Sequence, residues 1–173
     1  PITSICFLMQ VDDLSMGGVD LNLTLYKDHY VFADKFSNLF QTNESLRKLV
    51  QVFAYENGFG ASLLLNNHKR LVESTHGVVF LIKEEAIYTP AISEGVGNSV
   101  VRDALIEFLN KKSKDAVIET EIPIFSIQQA HEMFLISAEY GWIHVNQFRK
   151  KVFEKKASVS IRQDFLFNLK NQL

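Results

Sequence analysis

The sequence predicts a mixed α/β (α+β) fold in a single domain, residues 1–173. Three observations carry that expectation. Segments with strand periodicity and segments with helix periodicity alternate along the chain. At 173 residues, 47% hydrophobic and 22% charged, the chain is long enough to bury a sizeable core and polar enough to stay in solution. It carries no internal repeat, no low-complexity tract and no shift in composition that would mark a second domain.

The elements follow in order. Thr3–Gln10 ("TSICFLMQ") is a short apolar run that reads as a buried strand, followed by the turn-rich connector "DDLSMGGVD". Asp20–Tyr26 alternates apolar and polar residues, as a half-buried strand does. In "ESLRKLVQVFAYENG", Leu46, Leu49, Val50, Phe53 and Ala54 fall on one helical face, with Asn43 to cap the start and Gly58 to end it. Ala61–Asn66 and Gly77–Lys83 read as strands around the turn "NHKR", and "AIYTP" ends in a proline turn. "SVVRDALIEFL" places Val100, Val101, Ala104, Leu105, Phe108 and Leu109 on one helical face. "DAVIETEIPIF" reads as a strand pair broken at Pro123, and "SIQQAHE" as a short helix capped by Ser126. "MFLISA" and "WIHVNQF" are strands, and a terminal helix turns Ile161, Phe165, Leu166 and Leu169 inward.

Composition excludes several classes of function. The formal net charge is −2 and no basic cluster offers a surface to nucleic acid. No apolar run approaches the roughly 20 residues of a membrane span, so no membrane partner is expected. A single cysteine, Cys6, permits no internal disulfide, suits a buried core thiol, and points to a reducing, cytoplasmic setting. The opening "PITSICFLMQVDD" has no basic n-region, so a signal peptide is not expected; its lack of an initiator Met is what a piece of a longer protein would show. The five histidines form no HExxH or HxH pattern and have no cysteine partner, so no metal site is expected.

Three stretches hold candidate chemistry. "GVGNS" (Gly95–Ser99) runs into a helix start, where backbone N–H groups can hold a phosphate, although most such turns are only turns. Glu73 lies between apolar segments; it reads as a rim carboxylate with a local hydrogen bond, or as the partner of a protonated heterocyclic nitrogen. "KFSNLFQTN" (Lys35–Asn43) sets Phe40 among small polar residues just before a helix.

Together these stretches resemble the fold-type IV pyridoxal-phosphate enzymes, the class IV aminotransferases that include branched-chain and D-amino-acid aminotransferases and 4-amino-4-deoxychorismate lyase. "SLLLNNHKRLVESTHGVVFLI" is similar to the family's strand–turn–Glu–strand block, "IYTPAISEGVGNSVVR" to its phosphate-binding block, and "AHEMFLISAEYGWIHV" to its "A-D-E-v-F-l-t" block. Glu73, Thr75, Phe80, Thr89 and Arg102 all fall at the family spacing. The resemblance implies the large domain of D-amino-acid aminotransferase, a barrel-like mixed sheet flanked by helices. It implies pyridoxal 5′-phosphate as cofactor, with Glu73 facing the pyridine nitrogen and Ser99, Val100, Val101, Ser137 and Ala138 around the phosphate. It also implies an amino-acid or keto-acid substrate and a homodimer.

The family's Schiff-base lysine stands in a motif like "SNLKTxNY", and this sequence reads "SNLFQTNE". Phe40 therefore occupies the lysine position, and it can neither form an imine nor move a proton. Three further departures accompany it: Glu44 for the tyrosine, Val78 for the asparagine after the glutamate, and Val101 for the phosphate-binding threonine. Lys35 and Lys48 are the nearest alternatives to the lysine, and both are out of register. The chain begins near the start of the family's large domain, so the small N-terminal domain is expected to be absent, through loss or because the chain is a fragment. Three readings stay open: a degenerate member with a binding or structural role, a working aminotransferase or lyase using another lysine, and an unrelated α/β interaction module.

Overall fold

The computed structural model describes residues 19–34, 36–38, 43–97, 99–113 and 116–171. The expected strand Thr3–Gln10, Cys6, Lys35 and Phe40 lie outside the described residues. The expected mixed architecture is present. Among the described residues, nine strands form one sheet, with β1 (Val19–Leu25), β2 (Ala61–Leu65), β3 (Leu71–Ser74), β4 (Val78–Lys83), β5 (Ala86–Pro90), β6 (Val117–Thr120), β7 (Glu132–Ser137), β8 (Gly141–Phe148) and β9 (Lys151–Val152). The helices are α1 (Glu44–Glu56), α2 (Val100–Lys112) and α3 (Ala157–Lys170). None of them is long and apolar enough to cross a membrane.

The strand order is β3-β2-β1-β8-β7-β4-β5-β6, with β9 alongside β8. Strand β1 pairs in parallel with both β2 and β8, and β5 with β6; the other ladders are antiparallel. One short connection forces the sheet to curl. Strand β3 stands at one edge and β4 five places away, yet a tight turn through Thr75 and His76 joins them, closed by Ser74 N–H to Gly77 O at 2.9 Å. The edge must bend round to meet the middle, and Leu71 N–H on β3 reaches Ile122 O beyond β6 at 2.8 Å. The result is a barrel-like sheet with both faces buried.

Alternation along the central strands divides the core in two. Val78, Phe80 and Ile82 of β4, with Phe134 and Ile136 of β7, face the helices. Val79 and Leu81, with Met133 and Leu135, fill the inside of the curl against Leu23, Leu63, Ile143 and Phe148. On the helix side Phe80, Phe134 and Trp142 stack across three strands, at centroid separations of 5.1 and 4.3 Å. Leu105 and Leu109 of α2 and Phe165 of α3 lie over that side of the sheet, and Val50 of α1 belongs to the same cluster, on the β2 side.

Several local expectations change. Asn43 precedes α1 but makes no side-chain cap bond. Gly58 follows α1 in the left-handed region, φ 77°, with open space around it, so conformation rather than crowding selects glycine there. Leu49 and Val100 were expected to face inward and are 53% and 85% exposed. On α1 the buried stripe runs through Val50 and Ala54, and Val100 opens the first turn of α2. "AIYTP" is strand to its last residue, because Pro90 pairs with Thr120 across β5–β6. The expected strand after Pro123 is instead a 3-10 turn over Ile124–Gln129, with Pro123 at the cap position in place of Ser126. Pro lacks the N–H a ladder would need. Strand β9 was not anticipated; it forms because Arg149 takes φ 54° and turns the chain back on β8.

Helix α3 is capped from another strand. Lys156 at its N-cap gives no side-chain bond, and Glu132 of β7 supplies one instead. Its carboxylate accepts from the backbone N–H of Lys156, Ala157 and Ser158 at 3.0, 2.7 and 2.9 Å and from Ser158 Oγ at 2.6 Å. Burial opposes its ionisation, but the bonds from Ser158, Ala157 and Lys156 outweigh burial and hold its carboxyl below the ordinary 4.5. Beside it the His144 imidazole meets Ser158 Oγ at 3.3 Å. Burial pushes His144 below 6.5, Asp20 and Glu132 act in the opposite sense, and Lys155 and Arg162 add to the lowering.

Two outcomes follow. Glu132→Gln should cost about 1–3 kcal/mol, because charged acceptors at a helix N-terminus are lost. Urea unfolding would measure the loss, and amide exchange should show it concentrated in α3. As pH falls from 7 toward about 5, stability should decline, because the unfolded chain takes up the His144 proton before the folded one does. Urea midpoints across that range should fall less steeply in His144→Gln.

Candidate functional site

A cavity of about 770 Å³ opens between α1, the β3–β4 turn, the loop leading into α2, and the end of β7. The sheet contributes Val78 and Ile136, which give it an apolar floor. Its walls carry Glu73, Ser74 and Thr75 from β3 and the turn, and Ser99, Val100 and Val101 from the start of α2. Ser137 and Ala138 close the side at the β7–β8 turn. Six residues singled out from the sequence, Glu73, Ser99, Val100, Val101, Ser137 and Ala138, are thus brought to one cavity, although 64 residues separate Glu73 from Ser137 (137 − 73). The seventh, Phe40, lies outside the described residues. Three of the substituted positions, Glu44, Val78 and Val101, line the same cavity.

The α2 end of the cavity is a capped helix N-terminus. Ser99 takes an extended conformation, φ −140°, and its Oγ accepts from Arg102 N–H at 3.4 Å, while its carbonyl accepts from Asp103 N–H at 3.0 Å. Arg102 is 2% exposed and fastens this turn by donating to Pro90 O at 3.2 Å and to the carboxylates of Asp103 and Glu119. Thr89 donates to Val79 O at 2.8 Å and ties β5 to β4. Both residues match the resemblance: Thr89 ties strand to strand, Arg102 holds the start of α2 to the sheet, and neither lines the cavity.

Glu73 is not a rim carboxylate. It is 4% exposed, and Arg47 of α1 meets it with two bonds: Nε to Oε1 at 2.7 Å and Nη2 to Oε2 at 3.2 Å. The Gly97 N–H adds a longer contact to Oε2 at 3.4 Å. A Cβ on Gly97 would lie 2.9 Å from Arg47 Nη2, so glycine leaves room for the guanidinium. One turn further along α1, Gln51 holds Thr75 Oγ1 and the carbonyl of Gly60, the latter at 3.0 Å.

The mouth carries rings. His76 stacks on Tyr140 at 4.0 Å, and Tyr55 meets the imidazole edge-on at 6.5 Å. Burial lowers the His76 pKa against a small opposing pull from Glu139. Burial, with the Glu139 carboxylate close by, pushes the Tyr140 hydroxyl up to about 12. Near pH 7 the mouth therefore presents a neutral imidazole and a neutral phenol. Lys48 also lines the cavity and is paired with Glu44 at 2.7 Å. Among the described residues no group of three or more His, Cys, Asp or Glu side chains is placed to hold a metal ion.

Arg47, Gln51, His76 and Tyr140 did not emerge from the sequence as site residues, and Gly97 did so only as part of the candidate stretch Gly95–Ser99. One signal was there for Arg47. It stands one turn before Val50 and Ala54, so a charge falls on the buried stripe of an amphipathic helix, which implies a buried counter-charge. Nothing local marks His76 and Tyr140, which meet only because β4, β7 and β8 are neighbours.

The protein-family model for class IV amino-transferases matches residues 15–148. A probable branched-chain-amino-acid aminotransferase of Thermotoga maritima is 28% identical over 91 residues, which is 53% of this chain and 33% of the relative. A structure from Legionella pneumophila, described provisionally as a 4-amino-4-deoxychorismate lyase, superposes with TM-score 0.80 at 21% identity over 95% of this chain and 60% of that one. The branched-chain aminotransferase of Thermobaculum terrenum in its PLP-bound form superposes with TM-score 0.78 at 19% identity over 90% of this chain and 52% of that one. This chain thus spans a third to three fifths of the relatives it matches. The structural likenesses establish the fold, and the match of the family model establishes the descent: the chain belongs to the class IV aminotransferase family.

Proposed function

We propose that this chain is a degenerate class IV aminotransferase domain, with the cavity kept for binding and the Schiff-base chemistry lost. One observation carries the reading: the sequence has Phe40 where the family motif has its lysine. The cavity supports it, since Glu44, Val78 and Val101 line the walls where the resemblance implies tyrosine, asparagine and threonine. The homodimer and the cytoplasmic setting expected from the sequence belong to the same reading.

Pyridoxal phosphate is the cofactor the resemblance implies, and this chain's residues fit it poorly. The volume and the capped start of α2 suit a phosphorylated ring. The carboxylate that would face the ring nitrogen already has a guanidinium on both of its oxygens.

Lys48 gives the second reading its footing: an active aminotransferase or 4-amino-4-deoxychorismate lyase that uses another lysine. It is a lysine at the cavity, but its ammonium is bonded to Glu44, which raises its pKa and leaves less of the neutral amine that imine formation requires. Incubation with pyridoxal phosphate, borohydride reduction and peptide mapping separate the two. The expected outcome is no near-visible aldimine band and no pyridoxyl-lysine peptide. A pyridoxyl adduct on Lys48, or on Lys35, would establish the second reading in place of the first.

A further inference from the structure

We propose that Arg47 stands in for the ring nitrogen: it is a built-in cation for Glu73, and it turns the cavity from one that selects a protonated heterocycle into one that disfavours it. The proposal rests on the resemblance only for the placing of Glu73 opposite a ring nitrogen.

The geometry is that of a closed pair. A carboxylate carries its strongest charge-assisted bonds when both oxygens meet the fork of one guanidinium. Here Nε lies 2.7 Å from Oε1 and Nη2 3.2 Å from Oε2, with Glu73 4% exposed. A pyridinium brought to the same carboxylate would come within a few ångströms of the guanidinium, and like charges at that distance push the ring to give up its proton. A deprotonated ring nitrogen is no better placed, because it is an acceptor facing two acceptor oxygens. Either form meets a penalty that a ring without this nitrogen would not.

Gly97 is the second, independent observation. Its φ does not lie in the left-handed region, so no backbone need dictates glycine there. What a side chain at that position would strike is Arg47 Nη2, at 2.9 Å, with Glu73 Oε2 next at 3.4 Å. The loop leading into α2 is therefore shaped to admit the guanidinium. Around the position of the ring, the remaining surroundings suit a flat body without a positive charge of its own. Val78, Val101 and Ile136 are apolar, and the His76–Tyr140 pair is neutral near pH 7. The ligand class is an aromatic or cyclic compound without a cationic ring nitrogen.

The test uses pyridoxamine 5′-phosphate, which has the ring nitrogen and the phosphate but no aldehyde, so its binding is independent of any lysine. Failure here is thus distinct from failure of the Schiff-base reading, which borohydride trapping decides. Calorimetric titration should give weak binding to the unaltered chain and at least about tenfold tighter binding to Arg47→Met, the equivalent of one pKa unit. That gain should vanish in Arg47→Met/Glu73→Gln. Gly97→Ala, which displaces Nη2 without removing the charge, should shift affinity the same way by less. Should Arg47→Met fail to fold, Gly97→Ala and Glu73→Gln carry the test: the first should tighten binding, and the second, which leaves the Arg47 cation unneutralised beside the ring, should not. The proposal is overturned if Gly97→Ala and Arg47→Met do not strengthen binding, if Glu73→Gln strengthens it, or if none of these proteins binds the probe.

Discussion

Charge that is buried must be neutralised where it lies, and that constraint fastens this fold together. Among the described residues Glu73, Glu94, Arg102 and Glu132 are buried, and each is met by a group from another element. Glu73 joins β3 to α1 through Arg47. Glu94 joins the turn before α2 to the β2–β3 turn, through Asn66 at 2.9 Å and Arg70 at 3.1 Å. Arg102 pins α2 to β5 and β6, and Glu132 pins α3 to β7. Hydrophobic burial draws the helices onto the sheet, but it is not directional. The charged contacts fix where each helix end sits, because breaking such a pair leaves an uncompensated charge costing roughly 3–5 kcal/mol.

The cavity is a product of that fastening. It lies where α1 with Glu73, the loop into α2 held by Arg102, and the β7–β8 turn meet one curled sheet. Part of the fastening lies in the recess itself, in the Arg47–Glu73 pair, and part of it lies outside the lining, where it holds the walls even when the residues of the lining change. Thr89 and Arg102 illustrate this, as family residues retained in positioning roles. Residues at the cavity surface such as Glu44, Val78 and Val101 can then change without loss of the frame.

Much of the fold was legible in the chain. The periodicities of "DLNLTLY", "GVVFLIK" and "MFLISA" gave strands, and those of "ESLRKLVQVFAYE" and "SVVRDALIEFL" gave helices, because each repeats the burial pattern its neighbours impose. The misreadings have physical causes. Leu49 was placed inward by its helical spacing from Leu46, but the stripe that packs runs through Arg47, Val50 and Ala54, with Arg47 meeting the carboxylate under α1. The segment after Pro123 has strand composition, but the chain leaves the sheet after the Arg70–Pro123 bridge and winds into a 3-10 turn. The two-residue β9 is too short to leave a pattern.

The sequence by itself determined the alternation of strands and helices, because that is written in local spacing that needs no partner, and the resemblance of its motifs to the family pointed to six of the residues that line the cavity. Only the tertiary structure decided what Glu73 is bound to. Arg47 is 26 residues away in the chain, and whether its guanidinium reaches that carboxylate depends on how α1 lies on the curled edge of the sheet. The pairing of His76 with Tyr140 was likewise decided by strand neighbourhood, through ladders that join β4 to β7 and β7 to β8. Contacts of this kind are set by the closure of the sheet, which no stretch of the chain encodes alone.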